Sequence, residues 1–422
     1  MKNKQYRQRI VDAKLTTLLR VFGGVLIVGP KWCGKSWTAL NQAKSEVFID
    51  APENKRRAML IPDDVLDGPE PRLIDEWQDA PVLWDAARRK IDKEHRPGML
   101  IFTGSAVPAL IGENIPSHTG TGRFAKMRMR PLSLFEKGIS NGKISLSMLF
   151  EGIPFQPCSS EMDFHKALHQ ICAGGWPATF WTPAENSSII ASEYLNMVIT
   201  EDIGRVSGVK RDPAIVQLFV RALARNSATP VKATSLKADV AERDGNDISE
   251  QSVRSYYEAL KEIYVIEEQD AWMPSLRSRT RIRTTPKRHF TDPSLAAAAL
   301  GATPGILAKD LKTAGFLFES LCFRDLSVYM DALDGKVFHY RDKEELEADA
   351  ILQMPDGKWA AIEIKLGQFE FDYAASNLLK IKKKLIGETE PPSFLAIITA
   401  SGAMAWQRED GVFVIPIDCL AP

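Results

Sequence analysis

The stretch that most constrains this chain is Val25-Leu26-Ile27-Val28, which runs straight into GPKWCGKS at positions 29–36 and then into WTALNQA. A short apolar run rich in β-branched residues suits a strand buried on both faces, as in a parallel sheet. A glycine-rich turn and a helix-compatible segment follow, so G-x-x-x-x-G-K-[ST] sits in strand–loop–helix context. Glycines let backbone N–H groups close around phosphates, and the helix N-terminus adds the positive end of its dipole. In such a loop Lys35 contacts the β- and γ-phosphates and the Ser36 hydroxyl ligates Mg²⁺. The binding set read from the loop is Gly29, Lys31, Cys33, Gly34, Lys35, Ser36 and Trp37. The motif leaves the choice between ATP and GTP open, because its backbone contacts phosphates only.

A phosphate-binding loop needs an acidic partner on a neighbouring strand to hold Mg²⁺ and polarise water. Arg72-Leu73-Ile74-Asp75-Glu76 supplies one, with Asp75 on the metal and Glu76 as the base for the attacking water. A further apolar strand, Met99-Leu100-Ile101-Phe102, ends in Thr103-Gly104-Ser105. A hydroxyl there, Ser105 in the nucleotide-binding set, touches the γ-phosphate or orients the water.

These pieces stand in a recognisable order. GPKWCGKS, LIDEWQDAP, LIFTGSA and TGRFAKMRMRPLSLFE together resemble a family of bacterial and archaeal AAA-type ATPases that carry an uncharacterised C-terminal domain. The resemblance spans nearly the whole chain and is most specific at the loop and at Asp75-Glu76. It implies ATP and Mg²⁺ as ligands. It also implies that Arg123, after Gly122 and ahead of Pro131, Leu132, Ser133 and Glu136, senses the γ-phosphate in cis or in a neighbouring subunit of a homo-oligomer. The alternative for Arg123 is a surface arginine.

From about 150 to 215 helical periodicity is interrupted by GGWPA at 174–178, and the segment holding Tyr194 and Asp202 reads as part of a helical lid. Beyond it, Thr234 or Ser235 is a candidate helix cap, and Ser249 caps a second helix with Val253, Tyr256, Tyr257, Leu260 and Ile263 at helical spacing. Strand-like IEEQ and the basic RSRTRIRTTPKR complete the order of a winged helix. Arg277, Arg279, Arg281 and Arg283 alternate along one strand face, with Lys287 and Arg288 beyond. That pattern fits either a wing tracking DNA phosphates or a charged edge strand.

In the last 130 or so residues LEADAILQ and WAAIEIK flank Pro355-Asp356-Gly357, a turn signal. With those three residues as the loop, Asp349 falls opposite Glu363 and Glu347 opposite Lys365, all on one sheet face. Upstream, Glu319 shares the apolar face of a helix with Phe316, Cys322, Phe323 and Leu326. Glu319, Asp349 and Glu363 as metal ligands, with Glu363 and Lys365 catalytic, match a restriction-endonuclease-like pattern. The competing reading is an ion-pair network in which Glu347 and Glu363 satisfy Lys365. Lys380, Lys382, Lys383 and Lys384 read as a solvated helix face.

Composition excludes little else. The 422 residues are 45% hydrophobic, and 54 basic residues balance 54 acidic ones, so bulk charge selects neither nucleic acid nor membrane. Cys33, Cys158, Cys172, Cys322 and Cys419 are too scattered for a zinc site and read as reduced thiols. A charged start without a signal-like core, and no bilayer-length apolar run, lead us to expect a soluble, cytoplasmic protein with no membrane partner. The expected fold class is α/β. It comprises a P-loop parallel-sheet ATPase domain (1–150), a helical lid (151–215), a winged helix (216–290) and a C-terminal α/β endonuclease-like domain (291–422). The function expected is Mg-dependent ATP hydrolysis coupled to the winged helix and endonuclease-like region. The alternatives are an ATP-gated metal-dependent nuclease and a non-catalytic nucleotide switch.

Overall fold

A computed structural model describes residues 6–104, 120–205, 211–244, 248–274 and 285–422. Ser105 and the alternating arginines Arg277, Arg279, Arg281 and Arg283 lie outside the described residues. Contacts divide the chain into two units, neither continuous in sequence: Met1–Pro131 with Val198–Asp212 and Tyr257–Val265, and Leu132–Met197 with Pro213–Tyr256 and Ile266–Pro422. The contacts thus give two interleaved units where sequence suggests four consecutive domains; one contact boundary, between Asp212 and Pro213, falls beside the expected 215, and none falls at 150 or 290. The reason is visible at the first of the contact boundaries. Leu132 N–H donates to the Gly175 carbonyl (2.6 Å) and Leu134 N–H to the Asp325 carboxylate (2.9 Å), which fixes Leu132 to Glu136 of PLSLFE to the second unit.

The first unit is built on five strands: β1 (Gly24–Val28), β2 (Ser45–Phe48), β3 (Arg72–Asp75), β4 (Leu100–Gly104) and β5 (Phe124–Arg128). All pairs are parallel and the spatial order is β2-β3-β4-β1-β5. Alternation along β1 sends Val25 and Ile27 into a core with Leu15 and Leu19 of the helix Val11–Val21, while Leu26 joins the opposite one. That second core holds Trp77, Trp84 and Phe102, and the rings of Trp84 and Phe124 stack at 4.3 Å. A parallel sheet brings all its carboxyl ends to one edge, the usual place for a ligand crevice. Here Val28, Asp75, Gly104 and Arg128 end their strands there.

The second unit contains β6 (Ile144–Ser145), β7 (Cys158–Ser159), β8 (Ile266–Gln269), β9 (Lys287–Phe290), β10 (Lys336–Arg341), β11 (Glu347–Gln353), β12 (Trp359–Lys365), β13 (Phe394–Thr399), β14 (Met404–Gln407), β15 (Phe413–Pro416) and β16 (Leu420–Ala421). Its main sheet is mixed, in the order β10-β11-β12-β13-β15-β14-β7, and β8 pairs antiparallel with β9. Strand β7 thus joins a sheet otherwise made by the last 90 or so residues. The β11–β12 hairpin has the expected register: Gln353 pairs with Trp359 and Ala350 with Ile362. Gly357 occupies the left-handed region (φ 90°) that closes the turn. Helix Phe371–Lys384 packs Ala374, Leu378 and Ile381 on Ile351, Trp359, Ala361 and Ile397.

Helices Pro213–Arg225, Ala233–Asp244 and Glu250–Glu262 precede the β8–β9 hairpin. Ser249 caps the third, its hydroxyl accepting from Ser252 N–H at 3.0 Å. Thr234 and Ser235 are not caps; the helix has already begun at Ala233. GGWPA is explained by a buried ion-pair knot. Arg324 binds Asp292 (2.9 Å) and Asp325 (2.6 Å), and Asp292 also accepts from Gly175 N–H. No helix among the described residues is long and apolar enough to cross a membrane.

Candidate functional site

The loop after β1 makes two turns that favour glycine. Gly29 (φ 152°) and Gly34 (φ 101°) occupy backbone regions that side chains resist, and a Cβ on Gly29 would lie 2.1 Å from the Met129 carbonyl oxygen. Lys35 starts the helix Lys35–Gln42 and is buried, its Nζ donating to the carbonyls of Gly29 (3.0 Å) and Pro30 (2.8 Å). Both acceptors are neutral, so withdrawing the ammonium from them leaves no stranded charge. Ser36 is half-buried in the first turn and Trp37 exposed beside it. Cys33 turns its side chain into the core, with Sγ 3.8 Å from the Met129 carbonyl. Lys31 reaches outward to Asp202 at 2.6 Å. Sequence reading missed Arg9, a buried guanidinium that braces the loop from behind by donating to the carbonyls of Cys33 (2.8 Å) and Arg130 (2.9 Å).

Asp75 ends β3, buried, and Glu76 follows in the left-handed region (φ 53°, ψ 45°). The strand carrying Asp75 is not the immediate neighbour of β1, as expected, because β4 intervenes. Thr103 on β4 donates its hydroxyl to Asp75 Oδ1, and Gln78 Nε2 donates to Glu76. The Thr103 hydroxyl is thereby engaged in orienting the carboxylate, while Ser105, the hydroxyl expected to touch phosphate, lies outside the described residues. These donors and acceptors fit Mg·ATP: two glycine-enabled turns, an ammonium resting on neutral carbonyls, a hydroxyl at the helix start and an oriented carboxylate at the same sheet edge.

Arg123 does not belong to this group. It precedes β5, its carbonyl accepts from Gly24 N–H (3.1 Å), and β5 then runs parallel to β1 until Arg128 meets Val28. Five strand residues at about 3.3 Å each place it some 16 Å from the loop edge. Its guanidinium pairs with Asp92 (2.8 Å). A γ-phosphate sensor in cis is ruled out by strand direction. Arg128 is the arginine at the loop edge, its guanidinium 5.6 Å from the Tyr264 ring centroid.

In the second unit, the hairpin and the helix Leu311–Ala332 gather the expected carboxylates around two lysines. Lys365 Nζ lies 2.7 Å from Glu363 and 3.5 Å from Asp349. The other lysine is Lys287 on β9, which sequence assigned to the basic wing. Its side chain, 3% exposed, lies 2.7 Å from Glu319, 2.9 Å from Glu347 and 3.6 Å from Asp349. Asn377 donates to Glu363 (2.6 Å) and Ile364 N–H to Asp349 (2.7 Å). Burial, with Asp349 adding repulsion, pushes the Glu363 carboxyl up to about 7. Burial pushes Glu319 up to about 8 against the pull of Lys287. Asp349, equally buried, is held below the usual carboxylate range by Lys365 and Lys287. Among the described residues no group of three or more His, Cys, Asp and Glu side chains is arranged to hold a metal ion. The acids are ion-paired, but not as the alternative had it: Glu363 and Asp349 meet Lys365, whereas Glu347 pairs with Lys287, which stands in the cationic place that sequence gave to a metal held by Glu319, Asp349 and Glu363. Lys384 is likewise ion-paired, to Asp342 (2.6 Å) and Glu344 (2.8 Å).

Comparison with known proteins gives three family matches along the chain. An AAA domain family matches residues 22–137, a domain of unknown function (DUF8612) residues 165–305, and another (DUF4143) residues 314–420. The first match supports an ATP-binding P-loop ATPase in the first unit. Two uncharacterized proteins, of Mycobacterium bovis and Mycobacterium tuberculosis, are each 23% identical over 364 residues, covering 85% of this chain and 74% of theirs. A solved Walker-type ATPase of Pyrococcus abyssi is 14% identical with a TM-score of 0.41, covering 71% of this chain and 96% of that one.

Proposed function

We propose that the chain is a Mg²⁺-dependent ATPase that binds ATP at Gly29–Ser36 and couples the nucleotide state to its second unit. The observation that carries this reading is the convergence of the Lys35 loop and the Thr103-oriented Asp75 on the carboxyl edge of one parallel sheet. Backbone N–H groups of the loop bind the phosphates, Lys35 leaves its carbonyls for them, and Ser36 with Asp75 would hold Mg²⁺. The metal, when bound, neutralises charge developing on the phosphoryl oxygens. Glu76, steadied by Gln78, takes the proton of the attacking water. Replacing Glu76 with Gln keeps the shape and removes the base. Glu76→Gln is expected to retain ATP affinity within about threefold while losing at least a hundredfold in turnover; equal turnover would remove Glu76 from the mechanism.

The three helices and the β8–β9 hairpin support a winged-helix reading of 216–290, and the helix-plus-hairpin arrangement of Glu319, Asp349, Glu363 and Lys365 supports an endonuclease-like one for the C-terminal region. The Lys287 ammonium favours a charge-neutralised, non-cleaving role for that cluster over an ATP-gated nuclease. DNA contact through Arg277, Arg279, Arg281 and Arg283, assembly into homo-oligomers and a cytoplasmic location belong to the same proposal.

A further inference from the structure

Residues Val198–Asp212 belong to the first unit, yet the chain on either side of them, to Met197 and from Pro213, belongs to the second. The segment opens on a π-turn, Val198–Asp202, that breaks from the α-helix Ser187–Met197. Single π-turns within α-helices recur at functional positions. Asp202, its last residue, has its carboxylate 2.6 Å from Nζ of Lys31 in the phosphate loop; the aspartate side chain is 11% exposed and the lysine 44%.

We propose that Asp202 is a positioning residue for the nucleotide. It holds the Lys31 ammonium while the loop is empty and yields it to the phosphates when ATP binds, so that occupancy of the loop is passed to Val198–Asp212. The inference rests on the nucleotide reading above and adds how that site is coupled to the rest of the chain. The two loop lysines differ in what they leave behind. Lys35 abandons neutral carbonyls of Gly29 and Pro30. Lys31 abandons a largely buried carboxylate, and a buried charge without its partner must be resolvated or its segment must move. A lysine ammonium on a long flexible stem suits the exchange, since its three donors accept either anion without fixed geometry. The segment that responds is the one whose sequence neighbours on both sides lie in the second unit.

Full-length protein decides the matter through Mg·ATP affinity by calorimetry and hydrogen exchange across 198–203 by mass spectrometry. In wild type, ATP is expected to speed exchange there. Asp202→Asn should show the faster exchange without ATP and bind ATP about threefold tighter, as release of a partly exposed ion pair allows, while Asp202→Glu restores both. Lys31→Met tests the same link from the loop side; it should raise exchange at 198–203 without ATP and abolish the response to ATP. Wild type that binds ATP and loses binding with Lys35→Ala, but shows the same affinity and exchange as Asp202→Asn and Lys31→Met, would overturn the coupling and leave the nucleotide reading standing. Wild type that binds no ATP would overturn both.

Discussion

Lys35 and Lys287 are both buried ammonium groups, and the partners around each decide its use. Lys35 rests on two carbonyl oxygens and has no counter-charge among them, which leaves its charge to be satisfied by an anion. Lys287 already faces Glu319, Glu347 and Asp349 and asks for nothing further. Arg123 shows how one residue's place on a strand overrides its motif. Because it enters β5 at the end remote from the loop and pairs with Asp92, Arg123→Ala should change ATP turnover by no more than about twofold when assayed at dilutions that prevent self-association. Loss of an arginine that stabilises the transition state in cis costs on the order of a thousandfold. A loss of that size in dilute protein would contradict the placement.

At the scale of elements, the β11–β12 hairpin and the helix Leu311–Ala332 together set a pH dependence. Glu319 (about 8) and Glu363 (about 7) hold their protons more tightly in the fold than an unfolded glutamate does. Their contribution is therefore full below the ordinary glutamate range and lost as pH rises through 7 to 8. Asp349, held low by Lys365 and Lys287 against its burial, acts oppositely and loses its contribution on acidification. The denaturation midpoint of the second unit should fall between about pH 5.5 and 8.5, and Glu319→Gln should flatten that fall. An identical slope in the variant would show that Glu319 does not titrate there. The hairpin was legible in the sequence because Pro355-Asp356-Gly357 fixes the register, and the register fixes which acids share a face. Its cation was not legible. Lys287 stands near the end of a basic run that reads as a DNA-tracking wing or a charged edge strand, and only the pairing of β9 with β8 beside β10 turns it inward. Asp202 and Arg9 were equally silent, since each acts on the phosphate loop across a gap in sequence that no local pattern spans.

At the scale of the whole molecule, the parallel α/β sheet of the first unit followed from sequence, whereas its strand order and the interleaving of the two units did not. Composition shifts suggest consecutive blocks. The contacts instead return Val198–Asp212 and Tyr257–Val265 to the unit that holds the loop, and give Leu132 to Glu136 of PLSLFE to the other. The knot of Arg324, Asp292 and Asp325 explains why such distant motifs travel together: GGWPA supplies the Gly175 N–H to Asp292 and PLSLFE the Leu134 N–H to Asp325. The proposed coupling requires first that the first unit turns over ATP. Steady-state hydrolysis of Mg·ATP by wild type beside Lys35→Ala tests that claim most directly. The account predicts turnover in wild type and a loss of at least about a hundredfold in the variant, since the ammonium that meets the phosphates is gone. Equal turnover in the two proteins, or none in wild type under conditions where it binds ATP, would contradict it.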